Sequence, residues 1–226
     1  MNSFDNYLSP FSWRYAGKEM RQLWSETNKR RLWRRIWVAL AKTQSKFGLV
    51  TDDQVAELSA HSDEVDIEKA LQVEAEIHHD LMAELKTFAS QCPNAGGVVH
   101  MGATSMDIED NADAMRLSSA LDLVLNSLRN VLLILAEKMD AYSNLPIMAY
   151  THIQPAEPST LGYRFAIYAQ DLLEDWQQIK NIYEGVQGKG FKGAVGTAAA
   201  YGDLLGIENL DEFENLLSQE LRLKFY

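Results

Sequence analysis

Cysteine is nearly missing from this chain: one, Cys92, stands among 226 residues. A single thiol excludes an intramolecular disulfide and fits a reducing compartment. Proline is scarce too, five in all, and two of them, Pro155 and Pro158, crowd into one short connection. The longest apolar run is far too short to span a bilayer. The opening "MNSFDNYLSP" lacks the basic region and apolar stretch of a secretory signal. Basic residues are outnumbered, 21 Lys and Arg against 32 Asp and Glu, giving a formal net charge of −11. That balance disfavours nucleic acid as a partner, because binding it needs a cationic surplus against phosphates. No convincing strand run, internal repeat or low-complexity segment is visible. Together these absences read as a cytoplasmic protein with neither a membrane nor a nucleic acid as partner.

What remains is ordinary globular composition, 46% hydrophobic and 23% charged, arranged almost wholly with helical periodicity. The length suffices for one large or two small domains. Leu23, Trp24, Trp33, Ile36, Trp37, Leu40 and Ala41 mark one or two helices closed by a glycine cap at Gly48. Thr51 caps a short helix. Ile67, Leu71, Ile77, Leu81, Leu85 and Phe88 form one further stripe, ended by "CPNAGG". Two long segments follow, residues 116–142 and 163–186, each about 37 Å as a helix. Helices of that length with wide apolar faces belong in a bundle. The expected fold class is therefore all-α, an N-terminal helical domain over 1–112 and the first part of a central helical bundle over 113–226. The amphipathic tail "LDEFENLLSQELRLKFY" stops without a cap or breaker, which suggests a truncated chain.

Polar clusters interrupt this pattern at connections. "NKRRLWRR", residues 28–35, reads as a helix whose basic face is solvated or meets acidic partners, with phosphate contact as the lesser reading. In "IHHD", His78 lies near the apolar stripe and His79 nearly opposite, so a helix buried on both sides with satisfied core histidines is expected. Metal ligation is disfavoured, because adjacent residues do not share a helix face. Thr104-Ser105-Met106-Asp107 has the hydroxyl-x-x-acid form that opens a helix, and a helix start is also a ready anion site. In "THIQPAEPSTLG", Thr151, His152, Gln154, Ser159 and Thr160 place many donors and acceptors in what reads as a small volume. "GKGFKG" matches a dinucleotide fingerprint only formally: it follows a helix, not a strand.

Taken together, the clusters resemble the fumarase/aspartase superfamily. "THIQPAEPSTLG" fits its T-H-x-Q-x-A-x-P-x-T-x-G segment at every fixed position, and "GAVGT" resembles its glycine-threonine stretch. "SPFSWRY", "HHD" and "HMGATS" resemble the adenylosuccinate lyase family in particular. The resemblance implies a carbon-nitrogen lyase that eliminates fumarate from adenylosuccinate, giving AMP, and from SAICAR, giving AICAR, in purine biosynthesis. It implies no cofactor and no metal. His152 resembles the acid that protonates the leaving nitrogen, with His79 a second catalytic histidine. His100 would help orient substrate, beside His78 and Asp80 of the "HHD" run. Thr104 and Ser105 would hold the succinyl carboxylate, Arg14 and Tyr15 the nucleotide; Thr151, Gln154 and Thr197 complete the binding set. The resemblance further implies a homotetramer with active sites shared between subunits.

One departure stands out. The family's serine loop, S-S-x-M-P-x-K-x-N-P, which removes the substrate proton, has no counterpart in these residues. The chain is therefore expected to be the N-terminal portion of a lyase, inactive alone. Two other readings compete: a related lyase or cycloisomerase, argininosuccinate lyase-like, and a non-catalytic helical interaction protein using the basic face near Arg31. "HMGATS" favours the adenylosuccinate lyase family over both.

Overall fold

A computed structural model describes residues 7–226; residues 1–6, most of the opening "MNSFDNYLSP", lie outside them. The described chain is helical apart from one hairpin, and the all-α expectation holds. A π-helical turn, Phe11–Tyr15, leads into α1 (Lys18–Leu23), α2 (Glu26–Ser45), α3 (Asp52–His61), α4 (Ile67–Ile77) and α5 (Asp80–Gln91). The long α6 (Ser105–Ala141) is followed by strands β1 (Pro146–Thr151) and β2 (Gln154–Thr160), then α7 (Leu161–Glu184), α8 (Ala199–Leu205) and α9 (Leu210–Leu221). The chain separates into two compact units, Met1–Leu117 with Gln187–Tyr226, and Ser118–Val186.

Local chemistry sets the helix ends. Ser25 accepts from the Asn28 N–H at 3.2 Å and opens α2. Thr51 and Gln54 form a reciprocal capping box on α3. Gly48 takes the left-handed φ of 75° that turns the chain out of α2. In the first unit, Trp33, Ile36, Trp37 and Leu40 of α2 are buried with Leu58, Phe88, Ile108, Tyr201, Phe213 and Leu217. Each such side chain contributes about 1.5–3 kcal/mol on leaving water.

Four expectations need correction. The stripe through "IHHD" is not one helix: α4 stops at Ile77 and α5 starts at Asp80. His78 and His79 are exposed rather than satisfied core residues. The "THIQPAEPSTLG" connection is a β-hairpin, which its two prolines concealed. In a two-stranded ribbon both strands are edges, where proline is tolerated. Its polar groups do not share a small volume, since Thr160 pairs with Pro146 at the base and Gln154 with Thr151 at the tip. Six residues of strand separate them, about 20 Å. Finally, α6 contains an 18-residue window of mean hydropathy 1.5, so by length and composition one helix could cross a membrane, although no uninterrupted apolar run could.

Candidate active site

Two sequence motifs far apart along the first unit meet at a bent elbow. His78 caps α4 in the left-handed region, φ 55°, and His79 returns to extended backbone as the N-cap of α5. The His79 Nδ1 accepts from the Met82 N–H at 3.4 Å, so the neutral ring carries its proton on Nε2. That nitrogen lies 3.5 Å from Ser105 Oγ, the first residue of α6. The Asp80 carboxylate accepts from the Leu81 N–H at 2.8 Å and sits 3.8 Å from both His79 Nδ1 and Lys29 Nζ.

The elbow is tied to α2 by ions that the sequence presents as a solvated basic face. Arg30 and Arg34 are fully buried, and so is Glu84 of α5. Arg30 Nη1 reaches Glu84 at 3.1 Å and Nη2 reaches Glu74 of α4 at 3.3 Å. Arg34 Nε donates to the other Glu84 oxygen at 2.6 Å, and its Nη1 donates to the carbonyls of His61 and Glu64. Burial alone would lower the Arg30 pKa, but its hydrogen bond and charge pairing with Glu84, together with Glu26 and Glu74, raise it. Arginine's fork holds one carboxylate from α4 and one from α5 and so ties both helices to α2. The expectation thus divides by residue: Arg30 and Arg34 meet acidic partners in the interior, while Arg31 and Arg35 stay exposed on the other face of α2.

His100 is held from below. The buried Trp37 Nε1–H donates to His100 Nδ1 at 2.9 Å, which leaves the His100 proton on Nε2. Burial lowers the His100 pKa; the Asp107 charge opposes that and His79 adds to it. Nothing in the sequence marks Trp37 for this task, because it lies on an apolar stripe and only its indole tip is polar.

Asp107 does more than cap. Its Oδ2 accepts from the Thr104 N–H at 3.1 Å, forming the acid half of the predicted box. The same buried carboxylate pairs with Lys189, accepts from the Gly193 N–H at 3.2 Å and lies 3.5 Å from the Tyr201 hydroxyl. Asn111, one turn on, accepts from the Gly190 N–H at 3.1 Å and donates to its carbonyl at 3.0 Å. Close approach explains the first two glycines of "GKGFKG": a Cβ on Gly188 would meet Asn111 Oδ1 at 2.3 Å, and one on Gly190 would meet Glu214 at 2.2 Å; the third, Gly193, has open space but a left-handed φ of 71°. The loop so anchored lays "GAVGT" beside "HMGATS". Thr104 and Thr197 line one cleft of about 350 Å³ with Gly102 and Gly193.

The remaining predicted residues lie apart from this cluster in the sequence. Arg14 and Tyr15 are exposed on the π-helical turn, where the Arg14 guanidinium stacks 4.5 Å over Trp13. Thr151, His152 and Gln154 belong to the second unit, exposed at the hairpin tip. His152 and Ile153 are the two turn residues, with φ of 50° and 66°. Such a turn favours Asn-Gly, and a β-branched residue there is strained. In the same unit Thr160 caps α7, accepting from the Tyr163 N–H at 3.2 Å. A Cβ on Gly162 would strike the Met139 carbonyl at 2.6 Å. Half of the polar motif is thus architectural. Among the described residues, no three His, Cys, Asp or Glu side chains are grouped to hold a metal.

Comparison with known proteins agrees with this layout. The model of a family described as Lyase matches residues 12–225. Adenylosuccinate lyase of Saccharomyces cerevisiae is 38% identical over 94% of this chain and 46% of its own length. That of Schistosoma mansoni is 39% identical over 90% of this chain and 43% of its own. The chain spans about half the length of the curated relatives it matches. Among solved structures, a fumarate lyase from Mesorhizobium sp. BNC1 superposes with a TM-score of 0.81 at 26% identity, covering 93% of this chain and 49% of that one. A 3-carboxy-cis,cis-muconate lactonizing enzyme from Pseudomonas putida shares the fold, with a TM-score of 0.84 at 24% identity over 96% of this chain and 50% of that one. The motifs, the helical fold and the matched span place this chain in the Lyase family of the fumarase/aspartase superfamily.

Proposed function

We propose that this chain supplies part of the active site of an adenylosuccinate lyase. The reaction removes a weakly acidic proton beside a carboxylate, expels a nitrogen and releases fumarate, from adenylosuccinate to give AMP and from SAICAR to give AICAR. The observation that carries the reading is the meeting of His79 Nε2 with Ser105 Oγ at 3.5 Å, beside Thr104 at the start of α6. Hydroxyls and N–H groups at a helix N-terminus stabilise a carboxylate gaining charge. Thr104 and Ser105 bind the succinyl carboxylate there, and His79 donates to the same group. His100, kept neutral by burial, presents Nε2–H as a hydrogen-bond donor. His152 protonates the leaving nitrogen, a task suited to imidazole near neutral pH. His78 and Asp80 set the elbow, Arg14 and Tyr15 bind the nucleotide, and Thr151, Gln154 and Thr197 line the substrate site. The chemistry uses no cofactor.

The proton-removing serine belongs to the S-S-x-M-P-x-K-x-N-P loop that these residues lack, so the chain alone does not turn over. Residues 113–226 form part of a bundle that assembles four subunits, in the cytoplasm. Completed in a chimera with the C-terminal portion of the yeast relative, the chain should cleave adenylosuccinate but not argininosuccinate. His152→Ala in that chimera should lower kcat at least about 100-fold with folding intact. Near-normal turnover in that variant, or substantial cleavage by the unsupplemented chain, would remove the reading.

A further inference from the structure

A second polar cavity lies away from the elbow, where α2 and α3 meet the end of α9, and encloses about 540 Å³. That volume falls within the usual range of about 300–1,000 Å³ for small-molecule sites. Four cations line it: Arg31, Arg35 and Lys42 on the outward face of α2, and Arg222 just past α9. The two carboxylates on the same wall are already engaged, Asp63 with Arg31 Nε at 3.0 Å and Glu220 with Lys42 Nζ at 2.8 Å. The lining therefore carries two more positive than negative charges, in a chain whose net charge is −11. Ser59 and Ser62 donate their hydroxyl protons to the carbonyls of Val55 and Ser59, so the cations are the anchors.

We propose that this cavity binds a small polyphosphate anion, with Arg35 and Arg222 as the principal contacts and Arg31 and Lys42 in support. Guanidinium forks match phosphate oxygens two at a time. A ligand of two or more negative charges balances the surplus and can draw Arg31 and Lys42 from their exposed carboxylate partners, since such solvated surface pairs are weak. The site shares no residue with the proposed catalytic set, so it stands or falls independently of the lyase reading.

Isothermal titration of this chain with tripolyphosphate and, separately, with ATP tests it. Saturable one-to-one binding that weakens with added salt is expected. Similar affinity for both probes means that phosphates alone are read, and tighter binding of ATP means that a nucleotide is. The double variant Arg35→Glu/Arg222→Glu should weaken binding at least tenfold with an unchanged circular dichroism spectrum. Asp63→Asn, which frees Arg31, should tighten binding severalfold, an outcome that misfolding cannot imitate. Absence of saturable binding, an unaltered affinity in both variants, or a loss that follows Arg14→Ala instead would overturn the proposal.

Discussion

The two units solve the burial of apolar surface differently. In the first, the large side chains Trp33, Ile36, Trp37, Phe88 and Phe213 are buried in one cluster, braced by an Arg30–Glu84–Arg34 network at zero or near-zero exposure. In the second, Leu133 is 52% exposed, Ile134 56% and Ile182 58%, and the hairpin carries Ile153 at 92%. Buried hydrophobics between residues 118 and 186 are few: Ala120 and Leu125. The first unit holds enough apolar contact to define itself. The second presents long helices whose exposed apolar residues are too many for ordinary surface scatter, as expected of the bundle assembly proposed above.

That contrast yields graded expectations. Glu84→Ala leaves Arg30 and Arg34 as buried cations without their shared partner. It should cost about 3–5 kcal/mol, read from urea unfolding followed by tryptophan fluorescence; a loss below about 1 kcal/mol would show the network to be ornamental. Ile36→Ala, at a position with no exposure, should cost about 2–5 kcal/mol in the same assay. Ile153→Gly should act in the opposite direction. Relieving one left-handed β-branched residue is worth about 1 kcal/mol to the hairpin, visible as slower amide exchange across β1 and β2.

A fourth expectation concerns pH in the first unit. The folded pKa of His100 lies below its ordinary 6.5 because the ring is buried. Below 6.5 the unfolded chain takes up a proton that the folded chain resists, so His100 removes stability as pH falls through that range. Above it the contribution is flat. His100→Asn keeps an acceptor for the Trp37 N–H and lacks the titration. The difference between its unfolding midpoints and those of the parent should vanish its pH dependence above neutrality and grow on acidification; parallel curves would show a solvated ring. Smallest of all, Ile134→Ala in the second unit should shift the stability of the isolated chain by no more than about 0.5 kcal/mol. A cost like that of Ile36→Ala would erase the contrast between the units.

Much of this was legible in the chain. Apolar spacing gave α2, α7 and α9, and Thr51 and Thr104 marked helix starts by capping chemistry alone. The site motifs were visible as polar residues concentrated where helices should end. What escaped has specific causes. The break at His78 and His79 was hidden because Ile77 and Leu81 keep helical spacing across it. The hairpin was masked by prolines that a central strand would forbid and a two-stranded ribbon accepts. Arg30 and Arg34 look solvated in sequence because charge says nothing about whether a carboxylate waits on another helix.

Sequence by itself determined the helical period, the caps and the identity of the reactive side chains, since these depend on neighbours within a turn or two. Only the tertiary structure decided that His79 meets Ser105, that Trp37 fixes the His100 tautomer and that Asp107 gathers the loop from Lys189 to Gly193. Those contacts join residues 26 to 86 positions apart. Their partners are chosen by which surfaces the packed helices bring within hydrogen-bond reach, and local spacing carries no record of that choice.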